Sequence, residues 1–176
     1  MVRERLQAWI EWQEAKTKMR RLPRKIVYYR DGVSDSQFAH VKKEEIPQIR
    51  KAWERVQRET KGLVNSLKEL KITAIIVSKR HNTRFYPTKD TGVRDDNGKQ
   101  SRNKGNLIPG VVVESGVTSP YWFDFYLNSH CGLQGTVRPC HYIVIWDDNA
   151  FAPKALQEFV SGNSAVRHYR YRTDTA

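Results

Sequence analysis

Three short stretches hold the residues whose types and spacing could do chemistry. In Y-Y-R-D-G-V-S-D-S-Q-F, residues 28 to 38, one carboxylate, Asp31, closes a run of β-formers and precedes a glycine. An acid at a strand mouth suits a divalent ion in phosphodiester cleavage, though such chemistry needs several oxygen ligands. Asp-Gly is equally a turn pair, so the residue by itself leaves both readings open. In K-R-H-N-T-R, residues 79 to 84, Lys79, Arg80, His81, Asn82 and Arg84 crowd cationic and amide donors. Such donors suit phosphate oxygens, and arginine offers a two-pronged fork. The alternative is a solvated loop. In Q-G-T-V-R-P-C-H, residues 134 to 141, Gln134, Thr136, Arg138 and His141 could donate to a phosphate backbone. Gly135 would let that backbone come close, and Pro139 would stiffen the turn. Here the alternative is an ordinary loop leading into a strand.

Other groupings carry less. Cys131 and Cys140 each have a histidine neighbour, but adjacent His-Cys pairs are awkward ligands for one tetrahedral zinc ion. Two cysteines do not make a disulfide framework, which fits a reducing compartment. The aromatics Trp122, Phe123, Phe125 and Tyr126 could stack bases, yet so apolar a strand reads more readily as core. Asp147-Asp148-Asn149 is expected to cap the helix that follows it.

The elements that must position these stretches follow from periodicity. Val2, Leu6, Trp9 and Ile10 have helical spacing, and Pro23 is expected to end that segment. K-I-V-Y-Y reads as a strand closed by Asp31-Gly32, and Ser34 with Gln37 forms a capping-box pattern. Ile46, Ile49, Trp53 and Val56 repeat at three and four, an amphipathic helix. K-I-T-A-I-I-V-S, residues 71 to 78, reads as a buried strand because its apolar residues do not alternate. Strands are also expected at 111–114, 121–127 and 141–146, then a helix over 152–160 with Pro153 in its first turn. The long polar stretch from Lys79 to Asn106 is in part a loop. This interleaving is an α/β pattern. Residues 161–176 show no apolar period and read as a basic tail, poorly ordered.

Lys and Arg number 31 against 19 Asp and Glu, a net charge of +12 that favours polyanionic partners, nucleic acid first and acidic lipid second. A mean hydropathy of −0.71 with 39% apolar residues indicates a folded domain rather than disorder. The longest apolar runs are a few residues, so no membrane span is expected, and the acid-bearing N-terminus shows no secretory signal.

Together the segments resemble the PIWI domain of a eukaryotic-type Argonaute. The match rests on E-R-L at 4–6 with Trp9, Y-R-D-G-V-S-D-S-Q-F at 29–38 and K-R-H-N-T-R-F at 79–85. It continues through G-N-L-I-P-G at 105–110, D-F-Y-L-N-S-H at 124–130, G-L-Q-G-T-V-R-P-C-H-Y at 132–142 and I-W-D-D-N at 145–149. The resemblance implies an RNase H-like fold over residues 1–160, a truncated domain, with a divergent tail at 161–176. It implies a protein of small-RNA silencing that holds guide RNA and target RNA, located in the cytoplasm or also the nucleus.

The family's slicer chemistry uses two divalent ions, Mg2+ or Mn2+, held by carboxylates and a fourth Asp or His. Asp31 matches the third position of that set. The other matching positions are expected outside these 176 residues, and His141 is assigned to the guide-phosphate region instead. Arg80 and Arg84, with His81 or Asn82, match guide-phosphate contacts; Gln134, Thr136 and Arg138 match positions near the seed. The expectation is therefore an RNA-binding fragment with incomplete slicer chemistry. The alternatives are a residual endoribonuclease that recruits Glu114 or Asp124, and a docking module for tryptophan-bearing partners. Apolar faces left uncovered in a truncated sheet would make the domain marginally stable.

Overall fold

The computed structural model describes residues 1–64, 69–87, 106–130 and 135–162, and the backbone of 167–169. Helix α1 (Val2–Thr17) buries Leu6 and Ile10. It ends before Pro23, because Lys18 takes a left-handed conformation (φ 58°) and donates its N–H to the Glu14 carbonyl at 2.9 Å. Strand β1 (Lys25–Asp31) follows. The Ser34 N–H meets Gln37 Oε1 at 3.2 Å, so the capping pattern forms, although it opens only a 3-10 turn, Asp35–Gln37.

A single turn of helix, α2 (Phe38–His40), widens into a π turn over Val41–Glu45 before α3 (Ile46–Glu59). Pro47 has no N–H to give the preceding turn, and a local widening accommodates that loss. Helix α3 buries Ile46, Ile49, Trp53 and Val56, the four residues of the amphipathic period. Strand β2 (Lys71–Ser78) is buried from Ile72 to Val77. Then come β3 (Val111–Val113), β4 (Phe123–Asn128), β5 (Cys140–Asp147), α4 (Pro153–Ser161) and β6 (Arg167–Tyr169). The hydrogen-bonded order is β1-β2-β5-β4-β3-β6, a mixed sheet: β4 runs antiparallel to β3 and β5, whereas β6 runs parallel to β3. Residues 167–169, within the stretch expected to be a poorly ordered tail, pair with Val111–Val113. Backbone pairing needs no apolar period, so sequence pattern gave no sign of it.

The chain forms two compact units. The first comprises Met1–Ile75 with Ile145–Ala150, and its polar closure corrects one expectation. Asp147, Asp148 and Asn149 do not cap α4, whose N-cap is Ala152 without a side-chain bond. They join the end of β5 to the start of β2. Asp148 accepts the Ile72 N–H at 3.0 Å and pairs with Arg50, and Asp147 accepts from the Thr73 hydroxyl. The second unit comprises Ile76–Val144 with Phe151–Ala176. Val112, Phe125 and Leu127 form one core there, and Val111, Val113 and Tyr126 a second. The strand aromatics Phe125 and Tyr126 are thus core, while Trp122, just before β4, is exposed.

Candidate nucleic-acid interface

Residues 79–87 leave β2 with no regular structure, so side chains must hold the segment. Phe85 packs edge-on against Tyr126, with ring centres 5.4 Å apart. Arg84 Nη1 donates to the carbonyls of Thr83 (2.7 Å) and His81 (3.1 Å), folding the guanidinium over its own turn. His81 points inward, its Nε2 2.9 Å from the Pro139 carbonyl. Lys79, Arg80 and Asn82 face solvent.

The Pro139 contact joins this segment to 135–141. There, exposure alternates: Thr136 and Arg138 are exposed while Val137 and Pro139 are buried. The hydroxyl and the guanidinium are thus both turned to solvent. Gly135 has φ +72° with open space where a Cβ would lie. The left-handed backbone favours glycine here, and the open space beside it leaves room for a close approach. Asn106, 5% exposed, secures this turn from 30 residues upstream. Its Nδ2 donates to the Gly135 carbonyl and its Oδ1 accepts the Val137 N–H, both at 2.8 Å. Asn128 fixes the approach to β3 by donating to the carbonyls of Leu107 (2.9 Å) and Ile108 (3.2 Å).

Under the two segments lies a ring stack. His141 lies flat on Tyr126, ring centres 4.1 Å apart and planes 6° from parallel, and His81 meets both rings edge-on. His141 Nε2 is 2.6 Å from Asp124 Oδ2, and the other oxygen of this buried acid accepts the Ser119 N–H at 2.9 Å. His141 was expected to donate to phosphate; its Nε2 is committed to Asp124, so that role would fall to Nδ1. Burial pulls the His81 imidazole below its ordinary pKa. The Pro139 carbonyl opposes that shift, and the charges of His141, Arg84 and Arg138 add to it. Both arginines, one from each segment, therefore act on a single imidazole.

The structure thus brings His81, Arg84, Thr136, Arg138 and His141 into two joined segments, with Lys79, Arg80 and Asn82 beside them. Gln134 and Cys131 lie outside the described residues. Asn106, Asp124 and Asn128 were missed as positioning groups. Their only sequence signal was their place inside G-N-L-I-P-G and D-F-Y-L-N-S-H.

A family model, the Piwi domain, matches residues 1–173. The chain belongs to the Piwi domain family. It is 45% identical over 139 residues to protein argonaute 5 of Arabidopsis thaliana, covering 77% of this chain and 12% of that protein. It is 41% identical over 161 residues to protein argonaute MEL1 of Oryza sativa subsp. japonica, covering 92% and 13%. Among solved structures it is similar to the C-terminal lobe of a budding yeast Argonaute, with TM-score 0.73 and 33% identity over 89% of this chain and 30% of that one. It is also similar to Kluyveromyces polysporus Argonaute with a guide RNA, with TM-score 0.73 and 34% identity over 89% and 18%. The chain therefore spans about an eighth of the length of these plant argonautes, and its fold is the RNase H-like fold of Argonaute PIWI lobes.

Piwi-family nucleases are in general metal-dependent, which makes Asp31 a test of fit. It ends β1, is exposed, and is followed by Gly32 at φ +74°. Two-ion hydrolysis needs several carboxylates around the metals. Among the described residues, no three His, Cys, Asp or Glu side chains gather where they could hold an ion. Both Asp124 oxygens are bound as above, and Glu114 Oε2 accepts from Gln157 Nε2 at 2.8 Å. The described residues do not fit a two-ion centre.

Proposed function

We propose that this chain grips the ribose-phosphate backbone of a small guide RNA, and of target RNA paired with it, through residues 79–84 and 135–141. The observation that carries this reading is the His81–Pro139 hydrogen bond, which unites the two segments bearing Arg80, Arg84, Thr136 and Arg138. Among the described residues, none of these three arginines is paired with a carboxylate. The similarity to argonautes, one of them solved with a guide RNA, supports the same reading. Silencing in the cytoplasm, or also in the nucleus, belongs to it.

Filter binding of single-stranded RNA across a salt series tests the proposal. Neutralising four phosphates gives a log-log slope of about −2.8, at roughly −0.7 per phosphate. Replacing Arg80 and Arg138 together by alanine should flatten that slope by about 1.4 with little dependence on RNA sequence. Binding indifferent to salt would overturn the reading.

A further inference from the structure

We propose that His81 takes up a proton when an RNA phosphate docks beside Arg84 and Arg138, so that the grip tightens as pH falls. This rests on the RNA-binding reading above and adds a regulation to the same site.

The geometry assigns the proton. A carbonyl only accepts, so the 2.9 Å contact with Pro139 places the hydrogen on His81 Nε2. Nδ1 is then the nitrogen left to be protonated, and it is buried with no partner among the described residues. The groups facing the ring come from every side. Its own segment contributes Arg84, and residues 135–141 contribute Arg138 and His141. Strand β4 contributes the Tyr126 ring at 5.3 Å, and Asp124, an acid beside this stack, is bound to His141.

The ring of the free protein therefore meets burial and cations, both of which resist a second proton. A phosphate drawn in by the arginines brings negative charge to that neighbourhood and reverses the local balance. By linkage, affinity rises with falling pH between the two pKa values of His81, by at most about tenfold per pH unit for one proton. Above both values, affinity is independent of this group.

Calorimetry of the full chain with single-stranded RNA, in buffers of different ionisation enthalpy near pH 6, counts the protons taken up. A net uptake of protons is expected, falling towards zero near pH 8. His81→Gln keeps an amide to donate to Pro139 but cannot titrate, and should lose the uptake. Should that variant fold poorly, the ring resonances of His81 in the native chain, titrated with and without RNA, give the same answer through a raised pKa. Salt-dependent RNA binding without proton uptake overturns this inference and leaves the RNA-binding reading standing. Uptake that persists in His81→Gln assigns the proton elsewhere and also overturns it. No RNA binding at any pH overturns both.

Discussion

Several arginines of the first compact unit meet an acid, and three of the second do not, although Lys154 there lies 4.0 Å from Glu158. In the first, Arg3 and Arg55 both meet Glu59, Arg20 meets Glu14, Arg30 meets Glu45 and Arg50 meets Asp148. In the second, among the described residues, Arg80, Arg84 and Arg138 meet no carboxylate, and buried Asp124 is bound to a histidine. Net charge of +12 describes both units alike and cannot say where an anion would bind. Pairing can. Cations already matched hold the fold, whereas cations brought together without acids leave a field for a ligand to fill.

The largest expected effect breaks the matched side. Asp148 accepts the Ile72 N–H and pairs with Arg50, while its own N–H donates to the Ile72 carbonyl at 2.9 Å. Burial alone would raise this carboxyl's pKa, but the Ile72 N–H, Trp146 and Arg50 outweigh it and hold the pKa below the usual range. Asp148→Ala leaves an amide and a guanidinium without their partner and should cost about 2–3 kcal/mol, read as a lower urea midpoint. RNA affinity of the folded fraction should not change. A loss of affinity at unchanged stability would erase the distinction between the units.

A smaller effect sharpens the unmatched side. Asn106→Ala removes both bonds that hold the 135–137 turn, at a cost of about 1–2 kcal/mol. Every cation remains, so the salt slope of RNA binding should persist while affinity falls through lost preorganisation. Loss of Arg138 should instead change the slope. If both variants reduce the slope equally, the turn is not a positioning device separable from its charge.

Much of the scaffold was legible because its causes are local. The apolar period of α3, the unbroken apolar run of β2 and the proline at the start of α4 all lie within single windows of sequence. Part of the interface was legible for a similar reason: runs of basic residues at strand exits are visible along the chain. What holds them was not. His81 finds Pro139 across 58 residues, Asn106 finds Val137 across 31, and Asp124 finds His141 across 17. Such partners follow from strand order, which periodicity does not encode. The same gap explains the misreading of Asp147–Asn149, where a capping pattern proved to be a contact with β2.

The smallest effect separates the units by pH. In the second unit, His81 titrates below its ordinary value, so between that value and about pH 6.5 the unfolded chain binds more protons. Stability there falls as pH falls through that window. In the first unit Glu45 is one sensitive group, beside Asp148. Burial would raise its carboxyl, but the Tyr28 hydroxyl at 2.6 Å and Arg30 overcome that and hold it below the ordinary range. Tyr28 itself is pushed up to about 12, by burial first and then by Glu45, so it remains a donor throughout. A lowered carboxyl contributes stability that is present above its unfolded pKa and is lost as pH falls through its folded one. Glu45 thus acts in a more acid window than His81. Its Arg30 partner is 41% exposed, so solvent screening limits the pair to about 0.5 kcal/mol. Urea melts at neutral, mildly acid and strongly acid pH should place the two losses apart. His81→Gln should remove the first decline, and Glu45→Gln should lessen the second without abolishing it, because Asp148 still titrates in acid. A single decline untouched by either substitution would mean that acid acts on neither site, and that the units do not differ in how protons reach them.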